Sequence, residues 1–212
     1  MSSLLKNASV RHGVIPAAGR GTRFLPMTKA IPKEMLPIVD RPAIELVVEE
    51  ATQAGLDDLL LISAAQKQMI EDHFDAVPDL EAALREGEKW ELLASIERYQ
   101  DFARIHSVRQ GHPRGLGHAV YQARHHVGDA PFAVLLPDDL MHPEDPVLEK
   151  MIAVREQIGG SVVALLEVTP QQATAYGSAY VTTLPLASNG LDGIEGLNDG
   201  DVFRLNKIVE KP

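Results

Sequence analysis

The chain has 212 residues, 45% of them apolar, no cysteine and a formal net charge of −10. That length suits one large α/β domain with a sizeable core, and the acidic balance excludes a sequence-independent grip on nucleic acid or on an anionic membrane, since both depend on broad basic surface. Disulfides and thiolate zinc sites are excluded, and without an apolar signal core in MSSLLKNASVRH or a run of ~18 apolar residues anywhere, a soluble cytoplasmic protein is the expectation.

Taken in chain order, short apolar runs alternate with amphipathic stretches. The pattern predicts strands at 12–17, 59–63, 104–108, 132–137, 161–168, 178–183 and 203–209, with helices near 42–54, 66–74, 79–100, 116–127 and 146–158. Asp40 and Pro42 open the first helix and Gly55 stops it. Near-continuous apolar strands separated by helices predict an α/β fold, with a mixed, mostly parallel sheet flanked by helices on both faces, as a single domain over 1–212. Ligands of such sheets bind beyond the C-terminal ends of the strands, which places the loop after the first strand, the segment after Leu136 and the turn after Val168 on one rim. Residues 184–201, polar and rich in glycine, read as a mobile loop or hairpin tip.

The first of these loops is unusual. VIPAAGRGTRFLPMTKAIPKEMLP holds Arg20, Arg23, Lys29 and Lys33 with no acid before Glu34, inside an acidic chain. It lacks the Gly-Lys-Ser/Thr ending of a Walker P-loop, and Phe24 stands where a dinucleotide fingerprint needs its third glycine. Glycines spaced G-x-G let several backbone N–H groups turn toward one concavity, where arginine and lysine neutralise phosphate oxygens. A compact anionic ligand suits so focused a charge, and a tight turn with solvated charges is the alternative.

AAGRGTRFLPMTKAIPKEMLPIVDRP resembles the signature of the sugar-nucleotide pyrophosphorylases, and PKEMLP in particular is similar to that of bacterial UTP–glucose-1-phosphate uridylyltransferases. The resemblance continues in order through RQGHPRGLGHAV, AVLLPDD, TAYG and IVEKP. It implies a Rossmann-like nucleotidyltransferase that uses Mg2+ to join UTP to glucose 1-phosphate, giving UDP-glucose and pyrophosphate, in a homo-oligomer (dimer or tetramer). Alternatives on the same fold are a related pyrophosphorylase using dTTP or CTP and a catalytically silent nucleotide-sugar sensor.

The resemblance also distributes the residues. Arg23 and Lys33 become the catalytic pair, the arginine on the leaving phosphates and the lysine near the α-phosphorus. Ala18, Gly19, Gly21, Thr22, Gln110 and Gly115 bind the nucleotide, the Gln110 amide offering both a donor and an acceptor to uracil. Gly177, Glu210 and Lys211 take the sugar phosphate, and Asp138 holds the metal, while Asp139 either joins it or caps the next turn. Arg20 and Lys29 belong to the rim. Members of the family usually continue past IVEKP with more sheet and a second metal-binding aspartate, so a C-terminal portion is expected. The eight histidines read as solvent-facing or core-edge rather than as metal ligands, because His125 and His126 point apart on a helix and His118 has no acidic partner nearby. The acidic stretch 79–100 with Trp90 reads as an amphipathic cover or subunit contact.

Overall fold

The computed structural model describes residues 9–142, 144–173 and 176–210. They fall into two compact units, Val10–Asp145 and the part from Pro146 onward. No helix among the described residues is long and apolar enough to cross a membrane.

In the first unit HGVIP forms β1 (His12–Pro16), with Val14 and Ile15 fully buried. After the basic segment, β2 (Pro37–Ile38) and β3 (Arg41–Pro42) pair antiparallel as a short ribbon that runs straight into α1 (Ala43–Gln53). Ile44, Val47, Val48 and Ala51 recur at one-face helical spacing and are all buried. There follow β4 (Asp58–Ser63), α2 (Gln68–Asp72), α3 (Pro78–Glu86), α4 (Trp90–Glu97), β5 (Arg104–Arg109), α5 (Leu116–Tyr121), α6 (Arg124–Val127) and β6 (Phe132–Val134). The sheet has the order β5-β4-β1-β6 and every pair in it is parallel. Val14, Leu60 and Ile62 on one face pack with Ala119, Ala123 and Val127 of the α5–α6 region. Their neighbours Ile15, Leu59 and Leu61 alternate to the other face.

In this first unit three expected elements divide or stop short. The helix over 79–100 is two, broken where Glu88 takes a left-handed φ of 54°. That over 116–127 divides at Gln122–Ala123. The strand over 132–137 stops at Val134, which is as far as its ladder with β1 extends.

The unit from Pro146 contains α7 (Val147–Ile158), α8 (Pro170–Ala173), β7 (Gly177–Thr183) and β8 (Phe203–Glu210), the two strands pairing antiparallel with a register shift at Tyr180/Val181. The connection between them is more than a mobile tip. Leu186 and Leu191 are buried with Val154 of α7, and Leu184, Ile194, Leu197 and Val202 pack against them. Residues 161–168, expected as a strand, make no ladder among the described residues, and Val163, Leu165 and Leu166 are exposed. Apolar sequence alone does not make a strand, because its N–H and C=O groups need a neighbour's.

Within the first unit a buried acid ties several helices together. Glu45 of α1 pairs with Arg98, lies 3.4 Å from Arg41 Nε, and accepts from Tyr99 Oη at 2.9 Å. His73 Nε2 stands 3.2 Å from the same carboxylate. Two guanidiniums already neutralise Glu45, so burial decides the state of His73 and pulls its pKa below the usual histidine value. The neutral imidazole is therefore the native form. Its contribution is complete above pH ~6.5, the unfolded value, and is lost as pH falls below that, since the unfolded chain then takes the proton first. His73→Gln is expected to flatten the decline of stability below pH 6.5 in urea titrations at stepped pH; an unchanged slope would remove His73 from the acid response.

Candidate active site

Strands β4 and β5 lie on one side of β1 and β6 on the other, so the direction of winding reverses between β1 and β6. In open parallel sheets the crevice beyond the C-terminal ends at such a reversal is where ligands bind. The chain leaves β1 there through Ala17 and Ala18, both buried, with the Ala17 N–H donating to Ile62 O at 2.9 Å. Gly19 and Gly21 follow, and then short 3-10 turns at Thr22–Phe24, Met27–Lys29 and Lys33–Met35. Thr28 Oγ1 donates to Gly21 O at 2.6 Å and closes the loop on itself. Arg20, Thr22, Arg23 and Lys29 are exposed.

Gly21 is required by geometry. Its φ is +63°, and a Cβ there would stand 3.1 Å from both Lys33 Cβ and Thr28 Cγ2. Gly21→Ala is expected to cost about 1–2 kcal/mol of unfolding free energy from the left-handed backbone alone. Gly117→Ala, in a helical position with nothing near, is expected to be neutral or stabilising. Equal losses for the two in denaturant titrations would show that the loop does not impose its conformation.

The Lys33 side chain lies along this loop, its Cε 3.8 Å from where a Gly19 Cβ would be. Its Nζ reaches Asp138 Oδ2 at 2.7 Å, spanning from the β1 side of the crevice to the β6 side. The lysine side chain is 15% exposed and the aspartate 47%, so the pair is open to an incoming anion. Asp139, exposed, donates its backbone N–H to Leu136 O in the turn. Beneath the loop Glu34 is fully buried and meets Lys67 Nζ at 2.5 Å, while its other oxygen, Oε1, has no hydrogen-bond partner among the described residues. Sequence reasoning passed over Lys67. The available signal was Glu34 itself, a solitary acid in a basic stretch that needs a cation if it is buried.

Gln110 follows β5 on the same rim, its N–H donating to Ser63 O at 2.9 Å. Its side-chain Nε2 lies 3.2 Å from Gly115 O and 3.0 Å from His118 Nδ1. A carbonyl accepts only from the NH2, so Gly115 sets the orientation of the amide. The amide nitrogen therefore works inside the protein, contrary to the expectation that both ends face a base, and Oε1 is the end left to accept. Gly115, at φ 94° and ψ 178°, stands immediately before α5. In the other unit Gly177 and Glu210 are register partners in the β7–β8 pair, and Lys211 lies outside the described residues. An open recess of about 360 Å³ lined by Gly55, Asp57, Phe102 and Arg104 lies at the opposite, N-terminal end of the strands and shares no residue with this site.

A parallel sheet whose switch point carries a glycine loop, a lysine and a carboxylate defines an open α/β protein with a crevice suited to a phosphorylated ligand. The family model described as nucleotidyl transferase matches residues 12–212, and the chain belongs to that family. It is 48% identical over 203 residues to the UTP–glucose-1-phosphate uridylyltransferase YngB of Bacillus subtilis (strain 168), covering 96% of this chain and 64% of that relative. Among solved structures it resembles the UTP-bound UGPase from Acinetobacter baumannii, at 39% identity and a TM-score of 0.84, over 96% of this chain and 68% of that one. A UDP-glucose pyrophosphorylase complexed with UDP-glucose is similar at 37% identity and a TM-score of 0.75, over 96% and 69%. The chain thus spans a little under two thirds of the length of the curated relative.

Proposed function

We propose that this chain transfers a uridylyl group from UTP to glucose 1-phosphate, giving UDP-glucose and pyrophosphate. The observation that carries the reading is the Lys33–Asp138 contact of 2.7 Å across the switch-point crevice, beside the glycine loop. The names of the similar proteins supply the choice of base and sugar.

In this reaction an oxygen of the sugar phosphate attacks the α-phosphorus of UTP while pyrophosphate leaves, roughly in line, so positioning and charge neutralisation are what the protein contributes. Lys33, held at the crevice by Asp138, meets the charge developing at the α-phosphorus, and Arg23 takes the leaving β and γ phosphates. Backbone groups of Ala18, Gly19, Gly21 and Thr22 receive the nucleotide. Gln110 Oε1 accepts from uracil N3–H, held for that purpose by Gly115. Gly177, Glu210 and Lys211 are assigned the sugar phosphate. Asp138, an exposed carboxylate at the rim, fits a hard cation that keeps most of its waters. We assign that ion as magnesium, which supplies neutralisation of phosphate charge when bound.

The test is pyrophosphate release from glucose 1-phosphate with UTP, dTTP and CTP in turn, with magnesium. Release with UTP well ahead of the others is the expected result. Preference for dTTP or CTP would reassign the base. No release with any of them, while UDP-glucose still binds, would make the protein a sensor built on an enzyme's fold.

A further inference from the structure

At the other end of the same sheet three histidines converge on one aspartate. His12 opens β1 and Asp58 opens β4, and the two are direct register partners. His106 of β5 is the register partner of Leu60, two residues along from Asp58. Alternation with period two therefore points His12, Asp58 and His106 to the face that carries Val14, Leu60 and Ile62. That face is packed with Val127, and His126 precedes Val127 on α6. The result is His12 Nδ1 at 3.1 Å from Asp58 Oδ2, His126 Nε2 at 3.0 Å from Oδ1, and His106 Nε2 at 3.6 Å from Oδ1. The donor atoms of His12, Asp58 and His126 all lie within 4.8 Å of one another.

We propose that His12, Asp58 and His126 form a binding site for a divalent transition-metal ion of the zinc class, with His106 as a neighbouring donor. Two imidazoles and a carboxylate are the borderline nitrogen and oxygen ligands such ions take, and an ion bonded at about 2.0–2.1 Å in tetrahedral geometry sets its ligands roughly 3.3 Å apart. The observed spacings need only small side-chain rotations to reach it. The two oxygens of Asp58 each face one of these imidazoles, Oδ2 toward His12 and Oδ1 toward His126, so the three side chains already converge on a common point. All the side chains are partly open to solvent, which provides an entry path. The ion joins the starts of β1 and β4 to α6. Five strand residues at ~3.3 Å each place it about 16 Å from the glycine loop, so it is separate from the ion assigned to Asp138. It also differs in kind, since magnesium selects oxygen ligands.

The experiment is zinc titration of untagged, chelator-stripped protein by calorimetry, in excess magnesium, with the imidazole nitrogen resonances of the wild type followed by NMR. One equivalent is expected to bind despite the magnesium, shifting the signals of His12 and His126. His126→Gln is expected to weaken binding by at least about tenfold, the lower range for disturbing a metal's ligand environment, while Asp138→Asn leaves it unchanged. Absence of binding at micromolar zinc, silence at those two imidazoles, or full affinity in the His12→Asn/His126→Gln double variant would reduce the cluster to a hydrogen-bond network.

Discussion

Replacing Lys33 with alanine is expected to lower turnover of UTP and glucose 1-phosphate about 10²–10³-fold, the scale associated with losing one preorganised charge-stabilising group. The lysine is held against Asp138 at 2.7 Å, on a side chain that is only 15% exposed and runs beside Gly19 and Gly21. A group fixed before the substrate arrives spends nothing on reorganisation when charge develops at the α-phosphorus. Affinity for UDP-glucose should fall much less than turnover, because the interaction strengthens in the transition state. Stability should change by less than about 1 kcal/mol, since the aspartate partner is half in water. Single-turnover rates and binding isotherms of the same variant separate these effects. Equal losses in rate and in binding would show that Lys33 is only a binding residue.

Lys67→Ala is expected to cost about 3–5 kcal/mol of unfolding free energy, the range for stripping one partner from a buried ion pair. Glu34 is fully buried, meets Lys67 at 2.5 Å and has no partner for Oε1 among the described residues, so removing the lysine strips its charge of the cation that faces it. The double change Glu34→Gln/Lys67→Met removes the charges together and should recover much of the loss. The effect reaches the site because Glu34 follows Lys33 in the same 3-10 turn. Urea titrations of the single and double variants measure it. A single-variant loss under about 1 kcal/mol would mean that water or another group satisfies Glu34, and the pair would no longer explain how the basic loop is held.

The strands that carry the site were legible in the sequence because each is a short apolar run, largely buried in the central β1 and β4 and partly exposed in β6 at the sheet's edge. HGVIP, DLLLIS and the start of FAVLLP reappear as β1, β4 and β6, and with them the rim on which the basic loop and Asp138 lie. Lys33 and Asp138 were singled out separately, one by a run of bases around glycines and the other by its place after a strand. Where the chain failed to show its structure, the deciding interactions were long-range. The apolar run 161–168 has strand composition, but a strand is made by its neighbour, and none pairs with it among the described residues. The amphipathic pattern at 116–127 gave no sign of its break, while that at 79–100 held one in Gly87, which caps the end of α3 just before the left-handed Glu88. Glu34 with Lys67, Glu45 with Arg98, and Asp58 with His12 and His126 join residues 33 to 68 positions apart. The histidines were weighed only against their neighbours along the chain, among which Asp58 does not fall. Composition and periodicity thus determined the sheet, its open rim and the charge gathered there, because burial and alternation act locally. Which acid meets which base, and which histidine faces Asp58, was decided by strand register and helix packing, because only these bring distant residues within reach of one another.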